Sequence, residues 1–318
     1  MEVILDYGVE GKEGEENFDH ATDAFINVIN YAATQKNIPF ISVKLTGFAR
    51  FGLLEKLNEN ISNEDALTGK INLSKLTFVE KEEWRKVVER MEKICDTALS
   101  NNIGVLIDAE ESWIQQPVDA LTMQMMKKYN TEAAVLYNTI QLYRHDRLSF
   151  LKETINVSKG SFIPGLKIVR GAYMEKERKR ASSKGYKSPI QPNKQSTDRD
   201  YNEAVSFCIE HLKDLRLIIA SHNEYSNLYA TQLLAVNSDD HKHPHIHFSQ
   251  LYGMSDNITF NLAKAGLSVS KYLPFGPIND VIPYLMRRAQ ENSSVSGQTG
   301  RELNLIQKEL ERRRVESA

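Results

Sequence analysis

The chain has 318 residues, and its 40 lysines and arginines nearly balance its 42 aspartates and glutamates. So even a balance offers no basic footprint for nucleic acid or an anionic membrane, and apolar runs such as LRLIIA are too short to span a bilayer. Cys95 and Cys208 fall on the apolar stripes of predicted helices, which argues against a disulfide framework and for a reduced compartment.

In chain order, short apolar segments recur and each ends on polar residues or glycine. The first is VILDYG (3–8), which opens the sequence as a core strand with no lead-in. It is followed by FISVKLTG (40–47), GVLIDAE (104–110), AAVLYNTIQLY (133–143) and GLKIVRGAY (165–173). The set closes with LIIASHN (217–223), HIHFSQLYGM (245–254) and VSKYLPFG (269–276). Near-continuous apolar runs suit parallel strands buried on both faces.

Between the strands lie helical stripes. Ala21, Ala24, Phe25, Val28, Ile29 and Ala32 form one, and Trp84, Val87, Val88, Met91, Ile94, Cys95 and Ala98 another. Tyr201, Ala204, Val205, Cys208 and Leu212 form a third. Strand and helix alternating eight times predicts an α/β fold, a distorted (βα)8 TIM barrel in a single domain. Two stretches interrupt the rhythm. Residues 49–80 lengthen the second connection and are expected to add a helix. Residues 174–200, charged and containing Pro and Gly, read as a long loop that could close as a lid or run over the surface.

Active sites of such barrels lie at the C-terminal ends of the strands. The polar residues there are Glu10, Lys44, Asp108 with Glu110, Gln141, Lys167 with Arg170 and Tyr173, His222 with Asn223, Gln250 and Tyr272. Buried charges are costly unless paired, so this ring points to a polar ligand and a charged cofactor. After the eighth strand, Tyr284, Arg287, Arg288 and Glu291 follow helical i, i+3, i+4, i+7 spacing and put an anion clamp over the mouth. No GxGxxG opens a strand–turn–helix, so a Rossmann site is not indicated. The run HKHPHIH lacks a Cys or carboxylate to complete a ligand set, so no metal is expected.

The set VKLTGF, IDAEES, KIVRGAY, ASHN, QLYGM and Y-x14-RR-x2-E closely resembles proline dehydrogenase, in order and over essentially the whole chain. The tail is similar to the eukaryotic-type branch, and no aldehyde dehydrogenase domain accompanies it. The resemblance implies one domain over 1–318, with the helical segment that normally precedes the first strand expected to be missing. It implies FAD as cofactor and L-proline as substrate, oxidised to Δ1-pyrroline-5-carboxylate. Electrons would go to a quinone at a membrane surface, and a separate pyrroline-5-carboxylate dehydrogenase would take the product. The location implied is cytoplasmic, peripheral to the inner membrane.

Carried over by position, Lys44, Arg287 and Arg288 become the clamp for the proline carboxylate, walled by Tyr173, Tyr272 and Tyr284. Asp108 braces that wall. Lys167 would lie near the flavin N5 and Arg170 beside it. Gln141 would meet the pyrimidine end, and Gly171, Ala172, Ser221, His222, Gln250 and Glu291 would also contact the cofactor. Glu10 would gate the substrate against Arg287. Many family members read R-x-V-K-G-A-Y, whereas here the two cations are exchanged, and a lysine lacks the planar fork of an arginine. No unambiguous general base stands out. The rival readings are a hydroxyproline dehydrogenase, disfavoured because Tyr272 would crowd a 4-hydroxyl, and a Schiff-base aldolase using Lys44 or Lys167. A degenerate barrel that only binds a ligand is the third.

Overall fold

The computed structural model describes residues 1–8, 13–237, 243–278, 281–282, 285–286 and 298–316. Eight parallel strands close in sequential order into one barrel. They are β1 (Glu2–Tyr7), β2 (Phe40–Val43), β3 (Gly104–Ile107), β4 (Leu136–Gln141), β5 (Gly165–Val169), β6 (Arg216–Ala220), β7 (Ile246–Leu251) and β8 (Val269–Phe275). Closure comes from β1 on β8, with Ile4 opposite Tyr272. Every strand expected from the sequence forms, but several are shorter. After β2 the chain turns through a 3₁₀ turn at Leu45–Gly47, and β5 stops at Val169. The residues trimmed from the strand ends are the polar ones of the mouth.

Alternation along each strand divides the apolar core in two. Outward residues such as Ile41, Val105, Ile140, Ile168, Ile219 and Phe248 pack under the helices. Inward residues Ile4, Leu106, Tyr137, Ile218 and Tyr272 form a separate cluster inside the barrel. This explains why the strands lack a polar face: both sides are buried.

The helices are α1 (Glu15–Ala33), α2 (Phe51–Asn58), α3 (Asn63–Thr68), α4 (Phe78–Asn101), α5 (Gln115–Tyr129), α6 (Arg147–Ser158), α7 (Met174–Lys184), α8 (Lys194–Glu210), α9 (Glu224–Asn237), α10 (Asp256–Lys264) and α11 (Gln298–Glu316). α4 starts where Thr77 and Glu80 form a capping box and ends at Asn102 in the left-handed conformation. Its buried stripe keeps Trp84, Val87, Met91, Ile94, Cys95 and Ala98 of the one read from the sequence, leaves Val88 half-buried, and adds Arg90, which Asp19 and Glu15 hold at 2.8 and 2.7 Å. On α8, Tyr201, Ala204, Val205 and Cys208 are buried as expected.

The first interruption adds more than the one helix expected, and the second needs correction. Residues 49–80 hold two helices, α2 and α3, besides the start of α4. Residues 174–200 are not a long loop, because they contain α7 and the first turns of α8. The run MEKERKRASSK has good helix formers and no β-branched residue, and the helix stops at Gly185 with φ 69°. α7 is docked across the exit of β3 (residues 108–114). Glu177 is buried and accepts from the N–H and hydroxyl of Ser112, both at 2.6 Å. Lys176 pairs with Glu111, and Arg180 pairs with Glu55 while its guanidinium lies 4.3 Å over the Trp113 ring.

Candidate active site

Inward positions at the upper ends of four strands bring together two carboxylates and two ammonium groups in alternation. Asp6 of β1 lies 3.5 Å from the Lys44 ammonium, which follows β2. Lys44 lies 3.9 Å from Asp108, which follows β3. Asp108 accepts from Lys167 of β5 at 2.5 Å through Oδ1 and from the Tyr272 hydroxyl at 2.6 Å through Oδ2. The Lys167 ammonium also sits 5.0 Å over the Tyr272 ring. Lys44, Asp108, Lys167 and Tyr272, named from the sequence, thus form one cluster.

The two carboxylates respond oppositely to the same burial. For Asp108, burial pushes the pKa up, but Lys167 and Lys44 on either side and the bonds from Lys167 and Tyr272 outweigh it and hold the group below the usual carboxylate range. For Asp6, only 2% exposed, burial wins. Lys44 offsets it in part, the nearby Asp108 charge adds to it, and the group ends above its ordinary value. Asp6 Oδ2 is buried without a hydrogen-bond partner. The sequence reading missed Asp6, although a lone carboxylate within VILDYG, in phase with inward Ile4, was the available signal.

Further around the mouth, Gln141 donates through Nε2 to the Glu110 carbonyl at 3.1 Å. Its Oε1 is buried and unpaired, as is the nearby Tyr143 hydroxyl. The β4–β5 ladder continues past the strands, with Tyr143 N–H bonded to the Arg170 carbonyl at 2.7 Å. That brings Gly171 onto the Tyr143 ring. Its φ is 137°, and a Cβ there would lie 2.4 Å from the ring, so this position takes glycine on two counts.

Arg170 is committed elsewhere. It donates to Asp198 at 2.8 Å and to the hydroxyls of Ser221 and Ser226 at 2.9 Å each, and stacks 4.3 Å over Tyr201. It therefore braces the ends of β5 and β6 and reaches the mouth through Ser221. His222 Nδ1 lies 3.0 Å from the Ser255 hydroxyl. Ala172 is exposed, and Tyr173 is the N-cap residue of α7.

Gln250 is corrected. It shares the outward face of β7 with Phe248, donates to the Ser221 carbonyl at 3.3 Å and accepts from Thr259 at 2.9 Å, so both ends of its amide are engaged behind the barrel wall. Of the histidine run, His245 Nδ1 lies 2.8 Å from the Leu212 carbonyl and His247 Nε2 2.6 Å from the Ser270 hydroxyl. Glu10, Tyr284, Arg287, Arg288 and Glu291 lie outside the described residues.

The family model for proline dehydrogenase matches residues 1–301. The chain belongs to the proline dehydrogenase family. Proline dehydrogenase 1, mitochondrial, of Dictyostelium discoideum is 34% identical over 98% of this chain and 60% of its own length. The carbapenem antibiotics biosynthesis protein CarD of Pectobacterium carotovorum is 34% identical over 98% of this chain and 77% of that protein. Hydroxyproline dehydrogenase of Xenopus laevis is 32% identical over 96% and 69%. The crystal structure of proline utilization A from Bdellovibrio bacteriovorus, inactivated by N-propargylglycine, shares the fold with a TM-score of 0.74 at 20% identity. That match covers 92% of this chain and 30% of the larger one. The chain spans about 60% of the Dictyostelium relative.

Proline dehydrogenases are generally flavin-dependent, and the residues here fit that group. An unpaired buried oxygen on Gln141 of β4, Gly171 with its backbone against the Tyr143 ring, and the buried Lys167 of β5 come together at the upper ends of β4 and β5. Unpaired buried polar atoms are costly unless a ligand satisfies them.

Proposed function

We propose that this chain oxidises L-proline to Δ1-pyrroline-5-carboxylate and passes the electrons to a quinone. The observation that carries the reading is the hydrogen-bonded Tyr272–Asp108–Lys167 set with Lys44 beside it, at the mouth of a barrel of this family. A bound FAD would supply the hydride acceptor. Lys44, with Arg287 and Arg288, would hold the substrate carboxylate and fix the ring's orientation. Asp108 holds the Tyr272 hydroxyl, so that the ring stands as a fixed wall. The Lys167 ammonium, steadied by the same carboxylate, would stabilise negative charge developing beside it. Gln141, Gly171, Ala172, Ser221 and His222 would line the cofactor, with Arg170 orienting Ser221. Asp6 is a buried carboxylate with an open oxygen, and it supplies the proton acceptor that the sequence did not reveal.

Several relatives carry "mitochondrial" in their names, and no described helix is long and apolar enough to cross a membrane. We place the quinone encounter at a membrane surface, with residues 1–318 acting as one domain.

The test is the absorbance of purified protein. A flavin spectrum that bleaches anaerobically with L-proline and recovers with a soluble quinone is expected; protein that binds no flavin would overturn the reading. An aldolase would instead be trapped by borohydride with a carbonyl substrate. Here the Lys167 ammonium is bonded to Asp108, so attack on a carbonyl would have to break that pair. The kinship to a hydroxyproline dehydrogenase calls for comparing kcat/KM of proline and 4-hydroxyproline. Proline should win, because Tyr272 is held by Asp108 where a 4-hydroxyl would need room.

A further inference from the structure

Glu110 is buried at the mouth, and the reading above gives it no part. Both carboxylate oxygens accept from one residue: Oε1 from the backbone N–H of Thr46 at 3.2 Å, and Oε2 from the Thr46 hydroxyl at 2.6 Å. Thr46 lies in the 3₁₀ turn just past Lys44. On its other side, the Glu110 carbonyl receives the Gln141 amide. Its N–H donates to Gln115 Oε1 at 2.9 Å. Gln115 in turn donates to Asp119, which is paired at 2.6 Å with the buried Arg147. One residue therefore joins the turn carrying the substrate-side lysine to the cofactor-side glutamine, on a base anchored behind the barrel.

We propose that Glu110 is a positioning residue, a clasp holding the Lys44–Gly47 turn and Gln141 in register, closed when the carboxylate is ionised and slack when it is protonated. The inference rests on the proposed function. Ionised, the group accepts from both Thr46 donors. Protonated, it can put the proton on Oε2 and donate it to the Thr46 hydroxyl, but Oε1 then accepts from the N–H only as a neutral carbonyl, so both bonds lose their charge assistance and the attraction to Lys44 is lost with them. Its charged surroundings are Lys44 on the turn, Asp108 two residues earlier, and Glu111 beside it with Lys176 of α7 paired to that carboxylate. Burial pushes Glu110 up and Glu111 adds to it, while the Thr46 bonds and Lys44 pull it down. The balance leaves it raised to about 7. The clasp therefore changes state near neutral pH.

The test uses tetrahydrofuran-2-carboxylate, a proline analogue whose ring oxygen does not titrate, with binding to the flavin-loaded protein read from the flavin spectrum. Wild type should bind it about tenfold more tightly above pH 7 than well below it, the scale expected for one hydrogen bond regained. Glu110→Gln should lose that step with its flavin content unchanged. Thr46→Val, which removes the hydroxyl and little else, should shrink the step. Wild-type steps in both variants would overturn the clasp. A wild-type protein that takes up flavin but does not bind the analogue would overturn the substrate reading, and the clasp with it.

Discussion

Two storeys of the barrel lumen, set two residues apart along the first and third strand segments (Ile4 and Asp6, Leu106 and Asp108), treat charge in opposite ways. In the lower one, the Phe40 ring meets Tyr137 edge-on at 5.4 Å and His247 at 5.1 Å, with Ile4, Leu106 and Ile218 around them. Burial there pushes His247 down to about 3, so it is neutral. In the upper storey, Asp6 and Lys167 are buried and Lys44 and Asp108 nearly so, yet Asp108 is held ionised because a lysine stands on each side. Burial alone does not set a charge state; what the neighbouring strand presents at that height does.

That contrast can be broken most severely at Asp108. Asp108→Asn leaves Lys167 buried without its counter-charge and should cost about 3–5 kcal/mol in urea unfolding. Adding Lys167→Met should recover much of the loss; a single variant as stable as wild type would mean the pairing does not hold the upper storey together. The lower storey is probed by pH. His247 has a depressed folded pKa, so its unfolded form takes up a proton that the native form refuses. Wild type should therefore be at full stability above 6.5 and lose about 1.4 kcal/mol per pH unit below that from this group. His247→Phe should lack this part of the acid slope, as measured by thermal unfolding at stepped pH. The smallest effect is expected for Tyr272→Phe, which removes one hydrogen bond to a carboxylate that keeps its lysine. About 1.5 kcal/mol of stability should go, with KM for proline rising more than kcat falls.

Much of this was legible in the chain itself, because strand and helix periodicities are local. The eight strands and the buried stripes of α1, α4 and α8 follow from that. So does the set Lys44, Asp108, Lys167 and Tyr272 at strand ends. Helix α7 was misread because MEKERKR is polar all round, and its binding to Ser112, Glu111, Glu55 and Trp113 is made by polar groups that look solvated in one dimension. Gln250 was misread because being at a strand end does not say which face a residue takes. Asp6 was hidden in an apolar run whose alternation could have exposed it.

The sequence by itself determined the number and order of the strands and the long amphipathic helices between them, since each is written in a window of about ten residues. Only the tertiary structure decided which charges meet. Asp6 reaches Lys44 and Glu110 reaches Thr46 across neighbouring strands, and Tyr272 reaches Asp108 across the lumen, between residues 38 to 164 apart. Those meetings depend on the register of β1 with β2 and β8 and of β2 with β3, where a slip of one residue would turn every inward side chain outward.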